Sequence, residues 1–313
     1  MTDHGPKATG SAPGKTILFG EHAVVYARPA IAVPVFEVRA EAQIEASAGG
    51  VEIDAADIAR QYALRDAPPD DPIATMITQT CARLGVEPRD FAIRIRSTIP
   101  VARGLGSGAA VSVAVGRALA RFFGRELARA EISALAYEVE KLHHGTPSGI
   151  DNTVIAFEQP VYFVRGKPIE SFRVAQPFLI AIADTGVASP TKIAVGDVRR
   201  AWQADRAHYE TLFDQIGAIA RQARTAIERG DVDALGLLMN TNQALARELG
   251  VSSPEIETLV DAASRAGARG AKLSGAGRGG NVIVLVEEDN RERIERALID
   301  AGAERVTVTE IKM

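Results

Sequence analysis

Two carboxylates, Glu140 and Asp151, lie in the richest polar cluster of the chain, residues 138–152, which is predicted to be a helix end running into a turn. Phosphoryl transfer needs a divalent cation with hard oxygen ligands, and a second carboxylate can orient or deprotonate the attacking hydroxyl. Glu140 and Asp151 could fill these two roles. On residue type alone, the simpler interpretation is that Glu140 is an acid on a helix surface and that Asp151 is a turn or cap residue.

A cation is available near the start of the chain. Lys15 lies in a Pro-Gly-Lys turn before the apolar residues 17–19, where its ammonium group could reach a phosphate. The alternative is that Lys15 is an ordinary solvated lysine.

His143 and His144 are neighbours on a predicted helix, so they point in different directions. They also lack a third ligand at a familiar spacing, and no zinc site is predicted there.

A first glycine loop, residues 104–108, carries three glycines in five positions and enters a small, apolar run that predicts a helix. Glycine lets the backbone approach phosphate oxygens, and a helix N-terminus offers free N–H donors. The loop lacks the Gly-Lys-Ser/Thr ending of a Walker A motif. It also lacks the strand, the G-x-G-x-x-G spacing and the later acid of a dinucleotide site, so a dehydrogenase finds little support.

A second glycine loop, residues 275–280, precedes an apolar run at 281–286 that predicts a buried strand. So many glycines would let the backbone pass closely over a substrate or another loop. The alternative interpretation is a flexible hairpin connection.

The apolar periodicity around these segments predicts mixed strands and helices. Strands are predicted at 30–44, 91–95, 177–183 and 305–311, and helices at 72–84, 108–123, 128–142, 254–266 and 291–301. Residues 191–248 are predicted to be helical, with one break at Gly230-Asp231. The passage from the first glycine-loop unit into a second α/β unit places a domain boundary near residue 175.

Composition limits the function classes. The 313 residues are 46% hydrophobic, enough for two modest domains or one large one. The formal charge of −4, from 36 basic and 40 acidic residues, gives no field that would favour nucleic acid or an anionic membrane. Cys81 is the only cysteine, which excludes an internal disulfide. With no signal-peptide core and no apolar run long enough to span a membrane, the cytoplasm is the expected compartment.

These motifs, taken in order, resemble the GHMP kinase superfamily, named for galactokinase, homoserine kinase, mevalonate kinase and phosphomevalonate kinase. The resemblance covers nearly the whole chain. It is most similar to the mevalonate kinase family because residues 12–26, APGKTILFGEHAVVY, continue after Gly-Glu-His in a way that differs from galactokinases.

The resemblance implies an α/β (α+β) fold of two domains with the active site in the inter-domain cleft. Residues 1–175 would be the ATP-binding domain and 176–313 the C-terminal domain. The implied reaction is Mg²⁺-dependent transfer of the ATP γ-phosphoryl group to the C5 hydroxyl of mevalonate. The expected partners are these small molecules, without nucleic acid or membrane, and a homodimer is the assembly left open.

The resemblance also implies roles for single residues. Asp151 would act on the acceptor hydroxyl with the assistance of Lys15, and Glu140 and Ser107 would hold Mg²⁺. The residues implied to bind the ATP phosphates are Gly104, Leu105, Gly106, Ser107, Gly108 and Ala109. The residues implied to bind the acceptor are Glu21, His22, Asp151, Thr185 and Ala276.

The sequence departs from the family pattern at two positions. Gly108 follows Ser107 where the family usually has a second serine, so one hydroxyl that would help to ligate the metal is missing, and water could take its place. Arg278 stands where the family more often has glycine. Its guanidinium could contact a phosphate bidentately or point into solvent.

Three alternatives stay open at this point. Residues 184–186, Asp-Thr-Gly after an apolar strand, match the way an aspartic protease presents a carboxylate, but no second such motif is present. A ligand sensor that has kept a kinase fold is the non-catalytic alternative. Within the kinases, phosphomevalonate or another small alcohol is the alternative acceptor.

Overall fold

The computed structural model describes residues 7–58, 60–101, 103–144, 147–189 and 191–312, and it confirms a mixed α/β fold. The chain forms two compact units. The first unit contains the chain up to Lys15, Val38–Pro100 and Gly106–Glu158, and the second contains Thr16–Glu37, Val101–Leu105 and the chain from Gln159. Units built from interleaved segments do not test a single boundary, so the division near residue 175 stays a prediction.

The described residues form eleven strands and nine α-helices. The strands are β1 (Lys7–Phe19), β2 (Ala30–Ala46), β3 (Val51–Ala55), β4 (Arg60–Ala63), β5 (Phe91–Ser97), β6 (Val161–Phe163), β7 (Glu170–Ser171), β8 (Phe178–Asp184), β9 (Gly270–Ser274), β10 (Asn281–Val286) and β11 (Arg305–Ile311). The helices are α1 (Pro72–Leu84), α2 (Ser107–Phe122), α3 (Arg129–His144), α4 (Ile150–Phe157), α5 (Thr191–Ala204), α6 (Arg206–Arg229), α7 (Val232–Glu248), α8 (Pro254–Arg265) and α9 (Arg291–Asp300).

In the first unit, strands pair in the order β4-β3-β5-β2. The second half of β2 runs antiparallel to β5, while β3 runs parallel to β5. Along β5, Phe91, Ile93 and Ile95 are buried while Arg94 and Arg96 are exposed, as the alternation predicts. The helices α1 to α4 complete this unit.

Helix α2 is buried along most of its length, which confirms the prediction from its apolar run. Small residues let neighbouring elements approach it closely. A Cβ at Gly116 would lie 2.6 Å from Cε of Met76 on α1, and one at Gly10 on β1 would lie 2.2 Å from the Ala114 carbonyl oxygen. The close packing therefore fixes the middle of α2 against α1 and against strand β1.

In the second unit, a four-stranded antiparallel sheet has the order β11-β8-β10-β9. Every residue of β9 and β10 is buried. The predicted break at Gly230-Asp231 is confirmed: Gly230 ends α6 with φ 72°, and the Asp231 carboxylate accepts a hydrogen bond from Ala234 N. The prediction missed a second break, where Asp205 caps α6.

Among the described residues, no helix is both long and apolar enough to cross a membrane.

Asp71 at the start of α1 is the most deeply buried helix cap. Its side chain is fully buried and accepts hydrogen bonds from Ala74 N at 2.8 Å and from the Tyr62 hydroxyl at 3.0 Å. Arg60 Nη2 lies 2.7 Å from Oδ2. Burial raises the pKa of Tyr62, and so do the negative charge of Asp71 and the hydrogen bond that the hydroxyl donates to it. One carboxylate thus joins α1 to β4.

We expect Asp71→Ala to lower the free energy of unfolding by about 3 kcal/mol, because it removes a buried cap and leaves a part-buried hydroxyl and a partly exposed guanidinium without their acceptor. The matched control is Asp231→Ala, which removes a cap with one backbone bond at an exposed position. That change should cost about 1 kcal/mol. Urea unfolding of the two variants measures the difference, and equal losses would contradict the proposed role of Asp71.

Candidate active site

The first unit brings Lys15 and Asp151 together. Lys15 lies in β1 and is 3% exposed, and its Nζ is 2.9 Å from Oδ1 of Asp151. The Asp151 side chain is 28% exposed, so the pair has a buried cation and a carboxylate that solvent or a substrate can reach. Lys15 is therefore not a solvated surface lysine. At this distance the ammonium group donates a charge-assisted hydrogen bond to the carboxylate.

Asp151 is positioned by helix α4, where sequence analysis predicted a turn. Gly149 precedes the helix with φ 90°, a left-handed conformation that favours glycine. Asn152 donates hydrogen bonds from its amide to the carbonyl and hydroxyl oxygens of Ser133, which tie α4 to α3. Asp151 lies in the first turn, where the helix dipole stabilises a negative charge. It is not the cap residue.

Glu140 is buried on α3, so it is not the surface acid that its residue type suggests. The pKa of Glu140 is raised to about 8, mainly by burial and also by the negative charge of Asp151, while Lys15 opposes the shift. A carboxylate in such surroundings gains most from a divalent cation. No group of three or more His, Cys, Asp or Glu side chains is placed to hold a metal in the described part of the chain. A cation here would therefore complete its shell with phosphate oxygens and water, as Mg²⁺ commonly does.

The second half of the first glycine loop begins α2. Gly106 precedes the helix with φ 73°, and its carbonyl accepts the Ala110 N–H at 2.9 Å. The N–H groups of Ser107, Gly108 and Ala109 are then the first donors of the helix and have no intrahelical partner. This arrangement can bind an anion.

Gly106 also makes room for the lysine. A Cβ at Gly106 would lie 3.0 Å from Cγ of Lys15 and 2.9 Å from Cδ1 of Ile155. At Gly108, by contrast, a Cβ would meet nothing within 4 Å. Packing thus requires glycine at position 106, whereas Gly108 leaves open space where a side chain would fit.

The first half of the loop, Gly104 and Leu105, belongs to the second unit. Gly104 has φ 81° and Leu105 is buried. The preceding Arg103 is fixed at both ends: its carbonyl accepts a hydrogen bond from the Asn281 amide, and its guanidinium donates to Glu304 at 3.1 Å. These contacts hold the start of the first glycine loop to the four-stranded sheet.

The second unit joins His22 to Ala276, two of the residues that the resemblance assigns to the acceptor. His22 Nε2 lies 2.9 Å from the Ala276 carbonyl oxygen and must donate to it. Burial lowers the pKa of His22 to about 4; the bond to Ala276 raises it and the charge of Arg278 lowers it. The ring is therefore neutral, and Nδ1 is a buried acceptor with no donor among the described residues.

Glu21 lies beside a residue that sequence analysis did not single out. Lys272, fully buried in β9, donates to Oε1 of Glu21 and to the Leu273 carbonyl at 2.6 Å. Burial lowers the pKa of Lys272, and Glu21 opposes this shift. The available signal was an ionisable residue inside an apolar strand, Gly-Ala-Lys-Leu-Ser, which calls for a buried partner.

Thr185 holds the second glycine loop. Its N–H and its hydroxyl both donate to the Gly280 carbonyl, at 2.8 and 2.9 Å. The neighbouring Asp184 accepts from Gly186 N at 2.9 Å and lies 3.4 Å from Nη1 of Arg103. Asp184 is thus paired with a cation, which does not fit the carboxylate dyad of an aspartic protease.

Family models and relatives show which family the chain belongs to. The model for the GHMP kinases N terminal domain matches residues 72–159, and that for the GHMP kinases C terminal domain matches residues 223–304. The chain is 34% identical to mevalonate kinase of Aeropyrum pernix, over 96% of this chain and 95% of that protein. It is 35% identical to mevalonate kinase of Pyrococcus horikoshii, over 95% of this chain and 94% of that protein.

Solved structures agree as well. The fold matches L. major mevalonate kinase in complex with R-mevalonate with a TM-score of 0.86, 29% identity and coverage of 100% and 99% of the two chains. It matches the Methanococcus jannaschii mevalonate kinase with a TM-score of 0.84, 27% identity and the same coverage. By its sequence and its fold, the chain belongs to the GHMP kinase family.

Proposed function

We propose that the chain is an ATP- and Mg²⁺-dependent mevalonate kinase that phosphorylates the C5 hydroxyl of mevalonate to give 5-phosphomevalonate. The observation that carries this proposal is the contact of 2.9 Å between buried Lys15 and accessible Asp151, close to buried Glu140. The kinship with mevalonate kinases supports the choice of acceptor.

Asp151 and Lys15 act together on the acceptor. Asp151 accepts a hydrogen bond from the attacking hydroxyl and takes its proton as the bond to phosphorus forms. Lys15 holds the Asp151 carboxylate in position through their 2.9 Å contact and stabilises the negative charge that develops on the hydroxyl oxygen. Because this lysine is buried and already paired, little reorganisation is needed during the reaction.

The proposed protein ligands of Mg²⁺ are the Glu140 carboxylate and the Ser107 hydroxyl. The proposed phosphate-binding groups are the N–H groups of Ser107 to Ala109 and the backbone of Gly104 to Gly106. When bound, Mg²⁺ neutralises the charge of the transferred phosphoryl group. The charged carboxylate of Glu140 is costly in its buried position until a cation compensates it. The site is thereby tuned to bind metal and nucleotide together.

Glu21, His22, Thr185 and Ala276 are the proposed acceptor contacts. The unpartnered Nδ1 of neutral His22 can accept a hydrogen bond from a substrate hydroxyl. Relatives named mevalonate kinase do not favour phosphomevalonate as the acceptor, and the intact pair of Lys15 and Asp151 does not favour a sensor. The homodimer stays a prediction.

The proposed function is tested by ADP release from ATP and Mg²⁺ with mevalonate, phosphomevalonate, homoserine and galactose in parallel. Phosphorus NMR of the product then locates the new phosphate ester. We expect turnover with mevalonate alone and a phosphate on C5. Turnover only with another acceptor would overturn the assignment of the substrate but not the assignment of kinase activity.

Asp151→Asn should lower kcat at least a hundredfold while KM for ATP stays within about threefold, because the amide cannot take the proton. The amide has nearly the same shape but leaves the buried Lys15 ammonium without its counter-charge, so the melting temperature should fall, and kcat is compared at a temperature where both proteins are folded. Glu138→Gln is a matched control, since Glu138 is an exposed acid on α3 that pairs with Lys141. Turnover of Asp151→Asn close to that of the wild type would remove Asp151 from the mechanism.

Metal dependence should respond in opposite directions to two changes. Glu140→Gln removes a charged ligand and should raise the Mg²⁺ concentration for half-maximal activity about tenfold or more. Gly108→Ser places a hydroxyl in open space at the helix start and should lower that concentration. Both are measured by Mg²⁺ titration at fixed ATP, with Glu138→Gln unchanged. A titration that neither variant shifts would contradict the assignment of this metal site.

A further inference from the structure

Arg278 has a backbone conformation that its residue type disfavours. Its φ is 58°, in the left-handed region, and the same sign is found at Gly277, Gly279 and Gly280 around it. Glycine adopts this conformation freely, whereas an L residue with a side chain adopts it at a cost in free energy. The contacts of the arginine side chain must therefore offset this cost.

Those contacts join the second glycine loop to two other segments. The Arg278 guanidinium pairs through Nη1 with Oδ2 of Asp197 on α5, and Nη2 lies 3.5 Å from the Gly250 carbonyl oxygen. Its backbone N–H donates to the Val251 carbonyl at 2.7 Å. The side chain is partly exposed, and its guanidinium is engaged by Asp197 and by the Gly250 carbonyl. It ties the loop to α5 and to the turn after α7.

The rest of the loop is held through its carbonyl groups. The Ala276 carbonyl accepts from His22, and the Gly277 carbonyl accepts from the Ser189 hydroxyl at 2.6 Å. A Cβ at Gly277 would lie 2.1 Å from the Val251 carbonyl oxygen, so the backbone is packed tightly on that side. The position of Ala276 relative to His22 therefore depends on the anchoring of the residues that follow.

Helix α5 also contacts the segment that carries His22. Trp202 on α5 lies 5.2 Å, centroid to centroid, from the ring of Tyr26, which ends the short 3₁₀ helix Ala23–Tyr26 directly after His22. Asp197 and Trp202 are on the same helix. Helix α5 therefore contacts the second glycine loop through Asp197 and the His22 segment through Trp202. A shift of α5 would move both.

We propose that the ion pair between Arg278 and Asp197 is a clamp that positions the second glycine loop and α5 for binding of the acceptor. Arg278 is thus a positioning residue, which acts through Ala276 and His22 and does not touch the reacting atoms. This inference rests on the proposed function, because that function places His22 and Ala276 at the acceptor.

Arg278→Gly is the first test because glycine suits the left-handed backbone and leaves the fold intact. We expect KM for mevalonate to rise about tenfold, with kcat and KM for ATP within about twofold, since the clamp acts on acceptor binding. Asp197→Asn should have the same effect. The double variant should be no worse than either single variant, because both remove one interaction. Arg278→Lys should restore part of the acceptor affinity.

Arg200→Gln is the matched control. Arg200 also pairs with Asp197, but its side chain is 73% exposed and has no contact with the second glycine loop among the described contacts. Its removal should leave every kinetic constant within about twofold of the wild type. An unchanged KM for mevalonate in Arg278→Gly, an equal rise in both KM values, or additive effects in the double variant would overturn the clamp.

Hydrogen exchange separates this inference from the proposed function. In Arg278→Gly, amide exchange should become faster in residues 275–280 and 191–204 and stay unchanged in α2. If the wild type does not phosphorylate mevalonate, the proposed function fails and exchange alone decides the clamp. Faster exchange in both segments then supports it, and unchanged exchange in both overturns it.

Discussion

The burial of the Lys15 ammonium group is the constraint on which the rest of the first unit depends. An unpaired ammonium at 3% exposure would lose its hydration without compensation, so Asp151 must lie within reach. This requirement fixes the start of α4 against Lys15 of strand β1. It also explains Gly106, whose missing side chain leaves space for the methylene groups of the lysine. The glycine therefore serves packing in addition to its proposed role in phosphate binding.

In the second unit, buried polar groups are compensated in two other ways. Lys272 and Glu21 neutralise one another inside the unit, whereas His22 is neutral and uses one ring nitrogen on a backbone carbonyl. Burial lowers the pKa of both His22 and Lys272. A neutral or paired group costs less to bury than an unpaired charge does, and the low dielectric constant of a buried site strengthens each hydrogen bond that a ligand makes there.

Sequence patterns were enough to predict the longer helices, five of the eleven strands of the described residues and the glycine loops, because apolar periodicity and glycine chemistry are local. They missed β1, where Lys15 was expected in a turn. They failed for Glu140, where residue type favours an exposed acid and only tertiary packing buries it. They also failed for α4, whose eight residues are too short for a periodic signal, and for the partners of Lys272 and Arg278. Those partners are distant in the chain, so no local pattern indicates them.

The two departures from the family pattern differ in physical kind. At position 108 there is no neighbour within 4 Å of a built Cβ, so glycine there relieves no clash and satisfies no backbone requirement. Its effect is chemical, namely the loss of one hydroxyl. At position 278 the backbone favours glycine, and the arginine persists against that preference because its guanidinium has an acceptor on α5. A residue that opposes its own backbone preference and ends in an ion pair indicates that the pair matters more to the enzyme than the local strain.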